Sequence, residues 1–516
     1  MASKHVVGLD IGTTGAKGAV IRLDGKVVSE AYREYICEYP RPNWVEQDAD
    51  LIVGQALECC REAVGKSGLD PSAIASLSVS AQRCCALFVD ARGSLVRPMI
   101  SWQDNRTHEE VEEIRAKMPA EEFYDTTGMP LTTTWIVSKI LWVRKNEPEK
   151  WKRVAKVVQL QDYALKTLGA EDWFDDVSDA GFYGLWNPYS FEWSGKLLSA
   201  LSLDRSLLPE PSASGTRIGA VSRQAAERCG LKAGTPLCVG AGDQNSAAIG
   251  AGIVHKGFLS VSLGTGGLAA AYLDSPFRDP NRKAMVDNHA VYGKWQLEGL
   301  QSGAAGVFRW FRDEVAALEK ETSAREGKNV YARLNEMIAS TPPGAKGLVL
   351  LPYLASATTP RWNPHARGTL LGLTFAHDRA SLARCFMEGI TLEVRDMVNS
   401  MAAAGIPIEQ VRILGGATKS ELWNQMQADV YNRPVETLAM TDAALMGAAL
   451  CAAVGIGEFK GIAEGAQRMV KVDKKDLPDA KNARLYDEIY GVYCLAYEAL
   501  EQKGVFQALA RLQAGF

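Results

Sequence analysis

Two segments of this chain repeat one pattern: an apolar strand-like run, a turn built almost entirely from glycine and threonine, and a second strand-like run. In the first, Val6-Val7-Gly8-Leu9-Asp10 enters Ile11-Gly12-Thr13-Thr14-Gly15-Ala16 and leaves through Lys17-Gly18-Ala19-Val20-Ile21. In the second, Phe258-Leu259-Ser260-Val261-Ser262-Leu263 enters Gly264-Thr265-Gly266-Gly267 and leaves through Leu268-Ala269-Ala270-Ala271-Tyr272. Each reads as a β-hairpin with an unusually small, hydroxylated tip. The Gly-Thr pairs at 12/13 and 264/265 are 252 positions apart in a chain of 516 residues, close to half its length. That separation points to a duplicated architecture with one domain per half, here 1–252 and 253–516, hinged near residue 250. A length of 516 with 47% hydrophobic residues supplies more than one core.

Around the hairpins, helical and strand patterns alternate, as in an α/β protein. Helices are expected at 48–64, 109–117, 304–318 and about 381–401, and at 137–145 after Thr132-Thr133-Thr134, a cluster suited to capping. Strands are expected at 74–79, 235–239 and 411–414. A closing amphipathic helix puts Tyr486, Ile489, Tyr490, Tyr493 and Tyr497 on one face, which reads as core packing.

Charge and cysteine usage exclude several classes. Lys plus Arg is 57 and Asp plus Glu 61, a net charge of −4 without a basic tract, so no nucleic-acid partner is expected. The longest uncharged apolar stretch, 443–456, is shorter than the roughly 18–20 residues of a membrane helix. The opening Met-Ala-Ser-Lys-His has no signal-peptide pattern. The 10 cysteines include adjacent pairs at 59/60 and 84/85 but no Cys-x-x-Cys, which reads as buried thiols in the cytoplasm. Gly65-Lys66-Ser67 has Cys60 where a Walker loop needs glycine and reads as a surface turn. Gly240-x-Gly242 has Asn245 where a dinucleotide fingerprint needs its third glycine.

The chemistry lies in the turns. Glycines let successive N–H groups approach phosphate oxygens, and threonine hydroxyls add donors. Gly12-Thr13-Thr14-Gly15 and Gly264-Thr265-Gly266-Gly267, facing each other, would grip a triphosphate from both domains. Asp10 stands at the strand end before the first turn. A carboxylate beside phosphate needs a divalent cation between them, so Asp10 implies Mg²⁺ held through water, unless it merely caps the turn. Asp243 follows the strand ending in Gly240-Ala241-Gly242. It is placed either to orient an attacking hydroxyl and accept its proton or to cap a helix. Gln244 and Asn245 beside it are suited to neighbouring hydroxyls. Gly415-Gly416-Ala417 offers close backbone approach to a flat ligand such as adenine, with Ser420 opening the next helix.

Together these segments resemble the FGGY family of carbohydrate kinases, within the actin-like, ribonuclease-H-like superfamily. The resemblance runs in order along the chain through Leu9-Asp10-Ile11-Gly12-Thr13-Thr14, Trp44-Val45-Glu46-Gln47, Ser80-Ala81-Gln82-Arg83 and Trp102-Gln103-Asp104-x-Arg106. It continues through Lys139-Ile140-x-Trp142-Val143, Gly242-Asp243-Gln244, Ser262-Leu263-Gly264-Thr265-Gly266 and Gly415-Gly416-Ala417. The xylulokinase-like branch is nearest and the glycerol kinases next.

The resemblance implies a two-domain α/β fold with an interdomain cleft, and transfer of the γ-phosphate of ATP to a hydroxyl of a ketose or polyol. D-xylulose or a related pentulose leads; glycerol or another short polyol, or a non-catalytic actin-like nucleotide- or sugar-binding role, are the alternatives. It implies a homodimer. Asp243 resembles the catalytic base, touching the acceptor and, with Asp10, the metal. Asp10, Gly12, Thr13, Thr14, Gly264, Thr265, Gly266, Gly306, Gly416 and Ser420 map to ATP, and Gln82, Arg83, Cys84, Trp102, Asp104 and Gln244 to the acceptor. Cys84 departs from the pattern, since xylulokinases carry histidine there and glycerol kinases glutamate. A thiol supplies neither hydrogen bond, and the sugar's identity stays open.

Overall fold

The first glycine–threonine turn is the tip of a hairpin in the computed structural model, which describes residues 4–513 and 515. Strands β1 (His5–Ile11) and β2 (Gly15–Arg22) pair antiparallel, with Asp10 opposite Lys17, and β3 (Val27–Glu34) pairs antiparallel with β2. On the other side of β1, β4 (Ile74–Ala81) runs parallel to it. Beyond lie β5 (Arg217–Ala220) and β6 (Pro236–Gly242), with β6 parallel to β4 and β5 antiparallel at the edge. The order is β5-β6-β4-β1-β2-β3.

Parallel central strands need cover on both faces. The residues of β1 are buried along its whole length except at Asp10, which is partly exposed. The helix Ala49–Ser67, capped by the Asp48 side chain, covers one face, its Cys59 backbone 3.0 Å from where a Cβ on Gly18 would stand. The helix Ala443–Val454 covers the other, and a Cβ on Gly8 would come within 2.6 Å of the Leu445 carbonyl. The most apolar stretch of the chain is therefore a core helix. Among the described residues no helix is long and apolar enough to cross a membrane.

A second sheet comprises β7 (Gly257–Leu263), β8 (Gly267–Leu273), β9 (Met285–Asn288), β10 (Trp295–Gln301), β11 (Ile408–Leu414), β12 (Val435–Leu438) and β13 (Val472–Asp476), in the order β9-β10-β8-β7-β11-β12-β13. Its β7–β8 hairpin is antiparallel, and β11 and β12 follow in parallel. This is the arrangement of β1, β2, β4 and β6, so the duplication inferred from the two turns is present as repeated topology.

The chain forms two compact units. One contains residues up to His255, then Tyr272–Leu297 and Asp442–Lys471; the other contains Lys256–Ala271, Glu298–Thr441 and the residues from Val472 onward. A single cut at 252/253 does not describe this division, because the first sheet takes one of its covering helices from 443–454.

Three local expectations differ from the structure. The helix Ile136–Asn146 has Trp135 at its cap position and no side-chain cap. Thr132 instead accepts the Thr134 N–H, and the Thr133 hydroxyl donates to Asn105. The helix expected at 304–318 is interrupted: Ala304–Trp310 gives way to a wider π turn at Phe311–Val315, then to Ala317–Glu326. Residues 65–67 are the last turn of a helix, not a surface turn. The tyrosine face is core as expected, with Tyr486, Tyr493 and Tyr497 buried and the Tyr493 and Tyr353 hydroxyls 2.6 Å apart.

Candidate active site

Because β1, β4 and β6 are parallel, their C-terminal ends share one edge, where sheets of this kind place their chemistry. Asp10 is in register with Ser80, and Gly242 with Ala81. Asp10, the turn Gln82–Cys84 and Asp243 therefore leave neighbouring strand ends. Asp243 is the first residue of the helix Asp243–Gly250, and Gly242 occupies the cap position, so the helix-capping alternative does not hold. The carboxylate accepts the Gln244 N–H at 2.7 Å and lies 3.3 Å from Arg83 Nε, with 28% of the side chain exposed. It is anchored on one side and reachable from the other.

Arg83 is buried. Its Nη1 donates to Asn245 Oδ1 at 2.8 Å and stands 3.7 Å from Asp287, and its guanidinium lies 3.9 Å over the Phe182 ring. Gln82 Nε2 donates to Gln47 Oε1 at 3.0 Å, and Gln47 Nε2 donates to the Thr13 carbonyl at 2.9 Å. Trp102 Nε1 donates to Thr13 Oγ1 at 2.9 Å. Two of the expected acceptor residues, Gln82 by way of Gln47 and Trp102 directly, are thus hydrogen-bonded to the first glycine turn. Cys84 holds a left-handed backbone (φ 62°), and burial pushes its thiol well up, leaving it neutral. Asp104 differs from expectation. It is wholly buried, paired with Arg106 at 2.7 Å and accepting the Val45 N–H at 2.6 Å. It braces the loop bearing Trp102 rather than facing a ligand.

Asp10 accepts the Ser80 hydroxyl at 2.9 Å. Desolvation, then repulsion from Asp442 and Asp243, raises its pKa to about 8. Asp442 caps the helix Ala443–Val454 and binds Lys17 Nζ at 2.5 Å. A carboxylate with a pKa raised from about 4 lets the folded chain hold a proton the unfolded chain has lost, so stability falls as pH rises from about 4 to about 8. Asp10→Asn removes that penalty. In chelator-treated protein the variant should melt above the wild type by a margin that widens across this window and levels off above pH 8. A constant or shrinking margin in parallel thermal melts would contradict this electrostatic assignment.

In the second unit a cavity of about 630 Å³ is lined by Gly264, Thr265, Gly306, Gly416 and Ser420, a volume in the range of small-ligand sites. Five of the residues expected at ATP therefore meet in one place, although they span more than 150 positions of sequence. Gly266 shapes the turn from behind, its carbonyl accepting the Gly264 N–H at 2.9 Å. The Gly306 N–H donates to the Thr265 carbonyl at 3.2 Å, and Ser420 caps the helix Glu421–Tyr431. Phe308, Tyr331 and Trp423 supply aromatic walls, and Arg309 and Lys419 positive charge.

Lys17, Asp442, Asp287 and Arg309 escaped the sequence reading. Two had signals: Lys17 lies opposite Asp10 once the hairpin register is counted, and Asp442 directly precedes an apolar helical run. Arg309 donates to Thr265 Oγ1 at 2.9 Å, a contact no local pattern announces.

Comparison with known proteins decides the family. The N-terminal domain model of the FGGY family of carbohydrate kinases matches residues 5–250, and the C-terminal domain model matches 259–456. The chain belongs to the FGGY family of carbohydrate kinases. It is 28% identical over 491 residues to the xylulose kinase of Bacillus subtilis, covering 95% of this chain and 96% of that protein. It is also 28% identical over 493 residues to the autoinducer-2 kinase of Salmonella paratyphi B, covering 94% and 92%. The crystal structure of xylulose kinase from Rhodospirillum rubrum superposes with a TM-score of 0.87 at 29% identity, covering 98% of this chain and 100% of that one. As an FGGY kinase the protein has the family's two-domain α/β fold and is a phosphotransferase that acts on a sugar hydroxyl with ATP as co-substrate.

Proposed function

We propose that this kinase phosphorylates a hydroxyl of a ketose or polyol, with D-xylulose or a related pentulose as first choice, and that Asp243 is its general base. The observation that carries the reading is the Asp243 carboxylate at the shared strand edge, oriented by the Gln244 N–H and Arg83 yet reachable. Phosphoryl transfer has a loose transition state, so the protein's work is placement and charge neutralisation. Asp243 accepts the hydroxyl proton as the oxygen attacks the terminal phosphorus, whose bond to the bridging oxygen breaks and releases ADP. Gln82, Arg83, Trp102 and Gln244 orient the acceptor, and the Thr13 and Thr14 amides meet phosphate oxygens, the Gly12 N–H being held by the Gly15 carbonyl at 3.0 Å. The nucleoside sits in the second unit's cavity, against Gly416 and Ser420.

The residues also fit Mg²⁺. Asp10, through water, and Asp243 offer the hard oxygen donors this ion takes, and the raised pKa of Asp10 marks a crowded negative site that a cation relieves. Bound there, the ion would neutralise phosphate charge. On the family resemblance we also infer a homodimer. A cytoplasmic setting is supported by ten unpaired cysteines, most of them buried.

The test is a panel of pentuloses, tetritols, glycerol and autoinducer-2, assayed by coupled ADP release. One or more pentuloses should stimulate release far above the basal rate. Flat basal hydrolysis across the panel would favour a non-catalytic or ATPase role.

A further inference from the structure

Lys139 is a cation that the reaction as described leaves without a task. It lies on the helix Ile136–Asn146 and is wholly buried. Its Nζ donates to the Cys84 carbonyl at 2.6 Å and to the Ser101 carbonyl at 2.9 Å. Those carbonyls belong to two separate segments that both carry acceptor-side residues: Cys84 follows Gln82 and Arg83, and Ser101 precedes Trp102.

Both segments are also fixed elsewhere. The Cys84 N–H donates to Gln159 Oε1 at 2.9 Å, the Ser101 N–H donates to the Val45 carbonyl at 3.0 Å, and Trp102 reaches Thr13. A residue other than glycine keeps the left-handed conformation of Cys84 only where its neighbours over-determine it. Here Gln159 holds the amide and Lys139 the carbonyl. Burying an ammonium is costly, and an apolar residue of similar volume would leave the buried Cys84 carbonyl without its Lys139 donor. Charge-assisted bonds to two carbonyls that no apolar side chain could hold together account for a lysine at this place.

We propose that Lys139 is a positioning residue for the acceptor, tying the Gln82–Cys84 turn to the Trp102 segment so that both stand ready before the sugar binds. The inference rests on the acceptor-side reading given under Proposed function. Lys139→Met keeps the stem and removes the donors, while Lys139→Gln retains an amide donor. With the best acceptor of the panel, Lys139→Met should raise acceptor KM at least tenfold and leave ATP KM within twofold of wild type, with Lys139→Gln intermediate.

An acceptor KM within twofold in folded Lys139→Met protein would overturn the proposal. So would equal rises in both KM values, which indicate general loosening. Failure of both variants to fold, followed by circular dichroism, would assign the lysine to folding and overturn it as well. A wild-type enzyme stimulated by no acceptor would sink the functional reading and this inference together, whereas a stimulated wild type with unmoved variants sinks this inference alone.

Discussion

Asp243→Asn is expected to lower kcat by about 10²–10⁴, the range over which a positioned general base contributes, while the affinity for ATP stays within twofold of wild type. The amide oxygen of asparagine still accepts the Gln244 N–H that the carboxylate accepts at 2.7 Å, so the side chain keeps its anchor and loses its basicity. Nucleotide affinity should hold because the residues assigned to the nucleoside line a cavity in the other unit. Single-turnover ADP release and calorimetric titration with nucleotide separate the two quantities. Turnover near wild type would remove Asp243 from its role, and a parallel collapse of ATP binding would make the residue structural.

A smaller but still large effect, on binding rather than chemistry, is expected from Gly306→Ala. A Cβ there would stand 2.6 Å from the Thr265 carbonyl, nearer than carbon and oxygen approach, and the clash is with backbone that cannot rotate away. The Gly306 N–H also donates to that carbonyl, so the added methyl forces the second glycine turn off its support. ATP KM should rise at least tenfold, about 1.4 kcal/mol, with acceptor KM unchanged. Gly416→Ala is the matched control: its Cβ would meet nothing within 4 Å, so any smaller loss of affinity reports crowding of the ligand itself. Wild-type nucleotide affinity in the Gly306 variant would separate the Thr265 turn from the nucleotide site.

The sequence disclosed what is local or repeated. Gly12-Thr13 and Gly264-Thr265 announced two copies of one hairpin because tight turns with close backbone approach restrict residue choice. Asp243, just past an apolar strand ending in glycine, reads equally as a proton acceptor and as a helix cap, and only the family resemblance separates the two. What stayed hidden depends on contacts between distant segments. Asp104 reads as a site residue in its motif, yet pairing with Arg106 and the Val45 amide consumes it inside the fold. The Thr132–Thr134 cluster satisfies a capping pattern, but its hydroxyls are taken by a turn and by Asn105. Lys139 is one helical lysine among several until Cys84 and Ser101 are found on its ammonium.

The return of residues 442–471 to the first unit bears on how the polypeptide is made. The first sheet acquires the helix facing Gly8 only after more than four hundred residues have been synthesised. Until then β1, β4 and β6 present one bare apolar surface while the later segments are still being threaded out of the ribosome. Domains that fold early in synthesis shelter such surfaces at once; this one must wait. A gene fragment ending at 252 should accordingly yield aggregating material, and co-expressing it with the remainder of the coding sequence should recover soluble protein by supplying the missing cover in trans.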